Sequence, residues 1–163
     1  MWLYGVLGLV VLQRLGELVL ARRNTRRLLA NGYIEVGARH YPLIVLLHSF
    51  WLLAIAVAVS PQTEPNPILL VAFLTLQAAR VWILKTLGPR WTTRIIVPKQ
   101  DNQLVSIGPY RWFSHPNYMV VVGEIAVLPL VFGAVEIAVI FTILNGFLLW
   151  HRIRVENRAL GRA

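Results

Sequence analysis

The chain has 163 residues, of which 57% are hydrophobic and only 14% charged, and its mean hydropathy is +0.63. A soluble domain has about 45–50% apolar and about 25% charged residues, so this composition excludes one and indicates a single polytopic membrane domain over residues 1–163. The net charge of +9 is carried by arginines between apolar segments, which favours membrane topology over nucleic-acid binding. The lack of cysteine excludes disulfides, thiolate metal sites and a cysteine nucleophile.

Five apolar segments are predicted to be membrane helices, because a spanning helix needs about 20 apolar residues. They are residues 2–21, 42–59, 67–87, 118–132 and 134–150. The fourth would cover only about 22 Å, so the last two are predicted to form a short hairpin hinged at Pro129 to Gly133. Basic residues cluster in alternate connections, which predicts an outside N-terminus and a cytoplasmic C-terminus. The predicted fold class is an all-α polytopic membrane helix bundle.

Several charged or polar side chains lie inside these apolar segments. Arg14 and Glu17 are three residues apart on one helix face, so they form a structural ion pair or, alternatively, face a substrate. His48 is expected to be a hydrogen-bonded packing residue. Arg80 either snorkels toward the interface or points into a polar pocket. Glu124 is a candidate for lining an acceptor tunnel if it lies on the same side of its helix as Tyr118, a condition that their separation of six residues meets only in part.

The polar connections carry weaker structural signals. Residues 22–41 hold five arginines, so they are predicted to be cytoplasmic. Residues 22–31 are predicted to form a short interfacial helix that ends at Asn31-Gly32. Residues 94–97 are predicted to be extended or interfacial, and residues 100–102 have the composition of a turn.

The most informative stretch lies before the hairpin, within residues 88–117, and its counterpart follows the hairpin at residues 151–163. Because both flank the same hairpin, they must lie close together on the cytoplasmic face. His115-Pro116 begins the fourth helix, whose first turn offers free N–H groups and a positive dipole end suited to a carboxylate. Tyr110 and Tyr118 add aromatic and hydrogen-bonding surface.

The segment after the hairpin carries Arg152 and Glu156, which are four residues apart and share a helix face. A helical carboxylate can bind an ammonium group or ribose hydroxyls, and the arginine beside it can fix its rotamer. The alternative is that the aromatic residues only anchor the chain at the interface and that the two charges form an exposed pair. The spacing contains no base–nucleophile pair and no phosphate-binding glycine loop, and four scattered histidines predict no metal site.

The two motifs together resemble the isoprenylcysteine carboxyl methyltransferase family, in a bacterial branch related to the phospholipid N-methyltransferases. They are Gly108-Pro109-Tyr110-Arg111 with His115-Pro116-Asn117-Tyr118, and Arg152-Ile153-Arg154-Val155-Glu156-Asn157 one hairpin later. The resemblance implies a catalytic C-terminal half over residues 88–163 and a bound S-adenosylmethionine, which leaves as S-adenosylhomocysteine. The implied cofactor-binding residues are Tyr110, His115, Pro116, Tyr118, Glu156 and Asn157. Asn157 is a departure, since the family often has a second glutamate there.

The resemblance also implies a role for the cations on this face. Arg111 and Arg152, with Glu156, are the expected catalytic group, and Arg158 is a further candidate for aligning the acceptor. The expected partners are the lipid bilayer and a lipophilic acceptor that enters from the membrane. The expected reaction is O-methylation of an isoprenylcysteine-like carboxylate or of a phenolic or enolic lipid, at the cytoplasmic face of a bacterial inner membrane. The alternatives are an NADPH-dependent sterol-type reductase and a non-catalytic scaffold, and the oligomeric state stays open.

Overall fold

Five helices form the fold in a computed structural model that describes residues 2–98 and 105–161. They are α1 (Trp2–Ala30), α2 (Tyr41–Ala58), α3 (Pro67–Leu87), α4 (Pro116–Val131) and α5 (Val135–Ala159). Within the described ranges, α1, α2, α3 and α5 are long and apolar enough to cross a membrane, whereas α4 is shorter. The predicted all-α polytopic bundle is confirmed.

The first helix is longer than predicted. Residues 22–31 do not form a separate interfacial helix but continue α1, which runs unbroken for 29 residues. Nothing before Asn31 interrupts the helix, and the chain then leaves it through Gly32, whose φ is +84°. The N–H of Tyr33 reaches the carbonyl of Leu28 at 3.1 Å, which is the 6→1 bond of a Schellman ending. At about 44 Å, α1 exceeds a bilayer core of about 30 Å, so its arginine-rich end projects beyond the core.

The third helix has the bounds that the sequence predicted. Asn66 caps it by accepting hydrogen bonds from the N–H groups of Ile68 and Leu69 at 3.0 and 3.2 Å. Pro67 occupies the first turn, where its missing N–H has no partner to lose. Gly88 follows the last residue with a φ of +49°, a conformation that favours glycine. These local signals explain why hydropathy and turn residues were sufficient to predict both ends of α3.

The last two helices form the predicted hairpin, but they differ in length. The 16 residues of α4 span about 24 Å, which is less than the bilayer core. In contrast, α5 has 25 residues, because it continues without a break into the polar tail, as expected. The turn between them passes through Gly133, whose φ is +74°. The hairpin therefore brings the start of α4 and the end of α5 to one end of the bundle.

The apolar core occupies the opposite end of the bundle. It joins the first turns of α1 to the last turns of α2 and α4, and its most buried members are Leu3, Trp51, Ile55, Ile125 and Leu128. The site end is therefore less tightly filled by apolar side chains than the core end. That difference leaves room for clefts near the start of α4.

A buried network of four charged residues lies between the core and the site. Glu124 accepts hydrogen bonds from Arg14 Nη2 at 2.6 Å, from Arg80 Nε at 2.8 Å and from Arg80 Nη2. Glu17 pairs with Arg14 at 3.0 Å and with Arg80 at 3.1 Å. The predicted Arg14–Glu17 pair is thus confirmed within a larger quartet. Arg80 is 3% exposed, so it does not snorkel, and the alternative of a polar, inward environment is correct.

Two short strands join the N-terminal and C-terminal halves. Strand β1 (Ile34–Val36) pairs antiparallel with β2 (Ile95–Val97), with Glu35 opposite Ile96. The predicted extended segment at 94–97 is confirmed, but its partner strand was not predicted. Arg94 reinforces the pairing by donating to both carboxylate oxygens of Glu35 at 2.8 and 2.9 Å. The turn predicted at residues 100–102 lies outside the described residues.

Candidate active site

The two polar segments that flank the hairpin do meet, and they enclose an open cleft of about 1100 Å³. The start of α4, the end of α5 and the β2 strand each supply part of its lining. Of the predicted site residues, Tyr110, His115, Tyr118, Arg152 and Glu156 line the cleft. The clustering of these side chains is what the sequence motifs predicted, whereas their functional roles stay predictions.

The hydroxyl of Tyr118 connects the two segments. It donates a hydrogen bond to the carboxylate of Glu156 and accepts one from Nε of Arg152 at 2.8 Å. Nη2 of Arg152 donates to the backbone carbonyl of Thr93 at 2.8 Å. The arginine was expected to fix the glutamate rotamer directly, but in the structure Tyr118 stands between them. A neutral phenol thus orients a cation and an anion at once.

His115 contacts side chains of both α4 and α5. Its ring stacks on Tyr118 with centroids 5.3 Å apart and planes 17° from parallel. Its Nε2 lies 3.2 Å from Oδ1 of Asn157. Since an amide oxygen only accepts hydrogen bonds, Nε2–H is the donor in this contact. Nδ1 is 3.9 Å from the Glu156 carboxylate. Asn157 therefore accepts a hydrogen bond from the histidine and adds no negative charge beside Glu156.

Tyr110 and Pro116 have supporting positions. Burial, and then the negative charge of Glu156, raise the pKa of the Tyr110 phenol to about 12. The phenol therefore stays protonated at neutral pH and can donate a hydrogen bond into the cleft. Pro116 is the first residue of α4 and is buried, so it fixes the direction in which the helix leaves the cleft.

The structure does not bring Arg111 and Arg158 to this site. Both are exposed, and neither is among the described residues that line the cleft. Arg111 ends the short 3₁₀ turn Gly108–Arg111, and successive residues of such a turn point in different directions. Tyr110 points inward, so its neighbour points outward. The expected catalytic role of Arg111 has no support from its position.

A second pocket of about 950 Å³ opens beside the cleft and is mainly apolar. Its lining comes from all five helices and from the loop after α3, and includes Leu18, Ile44, Leu52, Val121 and Leu149. Among the residues that the structure describes, the cleft and this pocket share five, which we call the shared wall: Trp91, Thr92, Asn117, Tyr118 and Arg152. A polar compartment and an apolar compartment therefore meet at one set of side chains.

Comparison with known proteins identifies the family. The sequence model of the isoprenylcysteine carboxyl methyltransferase (ICMT) family matches residues 68–162. The chain belongs to the ICMT family. It is also 38% identical over 163 residues to the uncharacterized protein YpbQ of Bacillus subtilis (strain 168), covering 98% of this chain and 95% of that protein. No solved structure matches. Membership makes this ICMT-family chain a membrane methyltransferase, in agreement with its apolar helices.

The ICMT match begins inside α3, yet residues before it also build the site. Tyr41 lines the apolar pocket, and its hydroxyl lies 3.1 Å from Oγ1 of Thr93. Asn24 is buried, and its Nδ2 donates to the carbonyls of Gly88 at 3.2 Å and Trp91 at 2.8 Å. Sequence reasoning assigned no role to Asn24, Trp91 or Thr93, because their importance arises from contacts between distant segments.

His48 and three members of the charged quartet line one side of the apolar pocket. Arg14, Glu17 and Arg80 are lining residues there, whereas Glu124 is not. His48 also lines the pocket, and its Nδ1 lies 2.8 Å from the carbonyl of Ile44, as expected for a hydrogen-bonded packing residue. The candidate role of Glu124 as a tunnel-lining residue is therefore not supported.

Replacing Asn24 by alanine is expected to destabilise the protein and to loosen the shared wall. The change removes both hydrogen bonds and leaves the buried Trp91 carbonyl without its donor, which costs about 1–3 kcal/mol. Denaturant titration in detergent micelles measures the free energy of unfolding. Arg23→Ala is the control, because Arg23 is an exposed neighbour on the same helix. Equal stability of both variants would contradict the supporting role of Asn24.

Proposed function

We propose that this ICMT-family protein transfers a methyl group from S-adenosylmethionine to an oxygen atom of a lipophilic acceptor. The acceptor group is an isoprenylcysteine-like carboxylate or the hydroxyl of a phenolic or enolic lipid. The observation that supports this most directly is the shared wall, where a polar cleft suited to a charged cofactor meets an apolar pocket suited to a lipid. An enzyme that joins a water-soluble donor to a lipid needs such a meeting point.

The residues of the cleft fit S-adenosylmethionine, which carries an ammonium group, a carboxylate, hydroxyls and a flat base. Glu156 offers a carboxylate to the ammonium group or the ribose hydroxyls. The start of α4 lines the cleft and presents the positive end of the helix dipole to a carboxylate. Tyr110 supplies an aromatic face and a neutral hydroxyl, and the buried side chains of Ile95 and Val97 supply apolar surface.

When bound, the cofactor supplies an electrophilic methyl group: its S–C bond breaks with the electron pair kept by sulfur, and a lone pair of the acceptor oxygen forms the new C–O bond. A hydroxyl acceptor releases its proton to water, whereas a carboxylate has none to release. For its part, the protein has to align the two molecules. Arg152 lies in the shared wall and is 6% exposed, so its charge is well placed to orient an anionic oxygen. Tyr118 and Thr93 hold the guanidinium in position.

The acceptor is proposed to enter the apolar pocket sideways from the bilayer. Two of its lining residues, Val45 and Ser49, are exposed on α2, so the mouth of the pocket lies on a face that lipids can reach. The arginine-rich end of α1 and the basic end of α5 lie at the same end of the bundle as the cleft. By the positive-inside rule, this supports a site at the cytoplasmic face of the membrane.

The proposed function is tested by incubating the purified full-length protein with methyl-labelled S-adenosylmethionine and a panel of lipids. The panel contains a long-chain alkylphenol, an enolic lipid and an isoprenylcysteine-type carboxylate, each with its methyl ether or ester as a chromatographic standard. We expect label in the product of one acceptor class. No transfer to any phenol, enol or carboxylate would contradict the proposal.

Enlarging a residue at the mouth of the apolar pocket is expected to impair acceptor binding selectively. In the Val45→Trp variant, the indole occupies space at the opening, so the KM for the lipid should rise several-fold while the affinity for S-adenosylmethionine is unchanged. Val57→Trp is the matched control, because Val57 is 78% exposed on the same helix and does not line the pocket. Equal kinetics of both variants would place acceptor entry elsewhere.

A further inference from the structure

The shared wall contains a buried hydrogen-bond acceptor that has no partner. Six buried side-chain atoms lack a hydrogen bond within the described part of the chain: Arg14 Nε, Trp51 Nε1, Trp91 Nε1, Asn117 Oδ1, Thr142 Oγ1 and Asn145 Nδ2. Only two of these residues, Trp91 and Asn117, line both compartments. Of those two, Asn117 alone provides an acceptor. Buried polar atoms are nearly always paired, so this oxygen needs an explanation.

The other oxygen atoms of the shared-wall side chains already have partners. The Tyr118 hydroxyl is engaged by Arg152 and Glu156, and the Thr92 hydroxyl donates to the carbonyl of Arg94 at 2.6 Å. Trp91 and Arg152 have no side-chain oxygen. Among the described residues, Asn117 thus carries the one side-chain oxygen of this wall that makes no hydrogen bond within the protein. It is the second residue of α4, directly before Tyr118.

We propose that the amide oxygen of Asn117 contacts the sulfonium methyl group of bound S-adenosylmethionine. This inference rests on the proposed function and adds a positioning role for a residue between the predicted motif positions. A sulfonium charge makes the methyl hydrogens electropositive, so they form C–H···O contacts with a carbonyl oxygen. An oxygen at the boundary of both compartments is placed to direct the methyl group toward the acceptor.

The chemistry of the amide suits this role better than that of a carboxylate. An amide oxygen attracts the electropositive methyl group, but it is too weak a nucleophile to take the methyl itself. A carboxylate at the same position would compete with the acceptor oxygen for the methyl. It would also attract the sulfonium more strongly. Asn117→Asp is therefore expected to favour the binding of S-adenosylmethionine, whereas removal of the oxygen is expected to weaken it.

The test compares the affinities for S-adenosylmethionine and S-adenosylhomocysteine, because the second lacks both the methyl group and the positive charge. Isothermal titration on the purified full-length protein in detergent measures both dissociation constants. For Asn117→Leu, we expect the affinity for S-adenosylmethionine to fall about fivefold and that for S-adenosylhomocysteine to stay within about twofold. For Asn117→Asp, the preference for S-adenosylmethionine should rise above that of the unchanged protein.

Asn145→Leu is the matched control. Asn145, like Asn117, has a buried amide atom without a hydrogen-bond partner, but it lines neither compartment, so both affinities should be unchanged in this variant. An equal loss for both compounds in Asn117→Leu would assign the residue a structural role and overturn the inference, as would no change in either. Binding of neither compound by the unchanged protein would instead contradict the proposed function itself, and the inference with it.

Discussion

The Glu156→Gln variant is expected to bind S-adenosylmethionine about 10- to 100-fold more weakly than the unchanged protein. Glu156 is the carboxylate that lines the cleft beside Tyr110, His115 and Tyr118. A hydrogen bond to a charged group contributes about 1.5–3 kcal/mol, which corresponds to that range of affinity. Glutamine keeps the shape and one acceptor oxygen, so the loss isolates the contribution of charge. Equilibrium dialysis with labelled cofactor measures the effect.

The control for this prediction is Glu136→Gln. Glu136 is an exposed glutamate in the first turn of the same helix, α5, at the opposite end of the bundle. The same change there should leave cofactor affinity unaltered. If both variants bind as tightly as the unchanged protein, Glu156 does not contact the cofactor and the cleft has been assigned wrongly.

The second large effect is expected from Glu124→Gln, which should lower the free energy of unfolding by about 3–5 kcal/mol. Glu124 is 1% exposed and accepts hydrogen bonds from Arg14, Gln77 and Arg80. Without its charge, the buried Arg80 and the partly buried Arg14 face the single carboxylate of Glu17. The penalty comes mainly from leaving a cation uncompensated in a low-dielectric environment. Denaturant titration in micelles measures it.

A double-mutant cycle separates this penalty from a general loss of packing. Removing Arg80 and Glu124 together, as Arg80→Leu with Glu124→Leu, should cost less than the sum of the two single changes, because no unpaired charge remains between them. Glu64→Gln, at an exposed position in the loop before α3, should leave stability unchanged. Additive effects of the two leucine variants would contradict the coupling.

The helices were predictable where local signals fix both ends. The third helix begins after the Asn66 cap and ends before Gly88, and both residues act within one turn of the boundary. The end of α1 was less clear, because arginines stop an apolar run without stopping a helix. Hydropathy therefore predicts where α1 leaves the membrane core, whereas Gly32 marks the end of the helix itself.

The contacts between distant segments could not be predicted in the same way. The pairing of β1 with β2 joins residues about 60 positions apart, and neither strand has a strong pattern of its own at three residues. The charged quartet had a partial signal, since two cations and two carboxylates inside apolar segments need to neutralise each other. Which arginine pairs with which glutamate depends on how the helices pack, and the residues near each charge in the sequence do not determine that packing.

In the candidate site, too, some features could be predicted from the sequence and others depend on contacts between distant segments. The spacing of His115, Tyr118, Arg152 and Glu156 predicted their meeting correctly, because a hairpin must bring its two ends together. The inward or outward direction of Arg111 depends on the local turn, and the bridging position of Tyr118 depends on the approach of α5. The second pocket also involves α1 and α2, which carry no motif that points to it.

The measurement that tests the central claim most directly is titration of the purified full-length protein with S-adenosylmethionine and, separately, with NADPH. The two compounds distinguish the proposed methyltransferase from a membrane reductase. Saturable binding of S-adenosylmethionine, lost or strongly weakened in Glu156→Gln, is the predicted result. Binding of NADPH without binding of S-adenosylmethionine would contradict it.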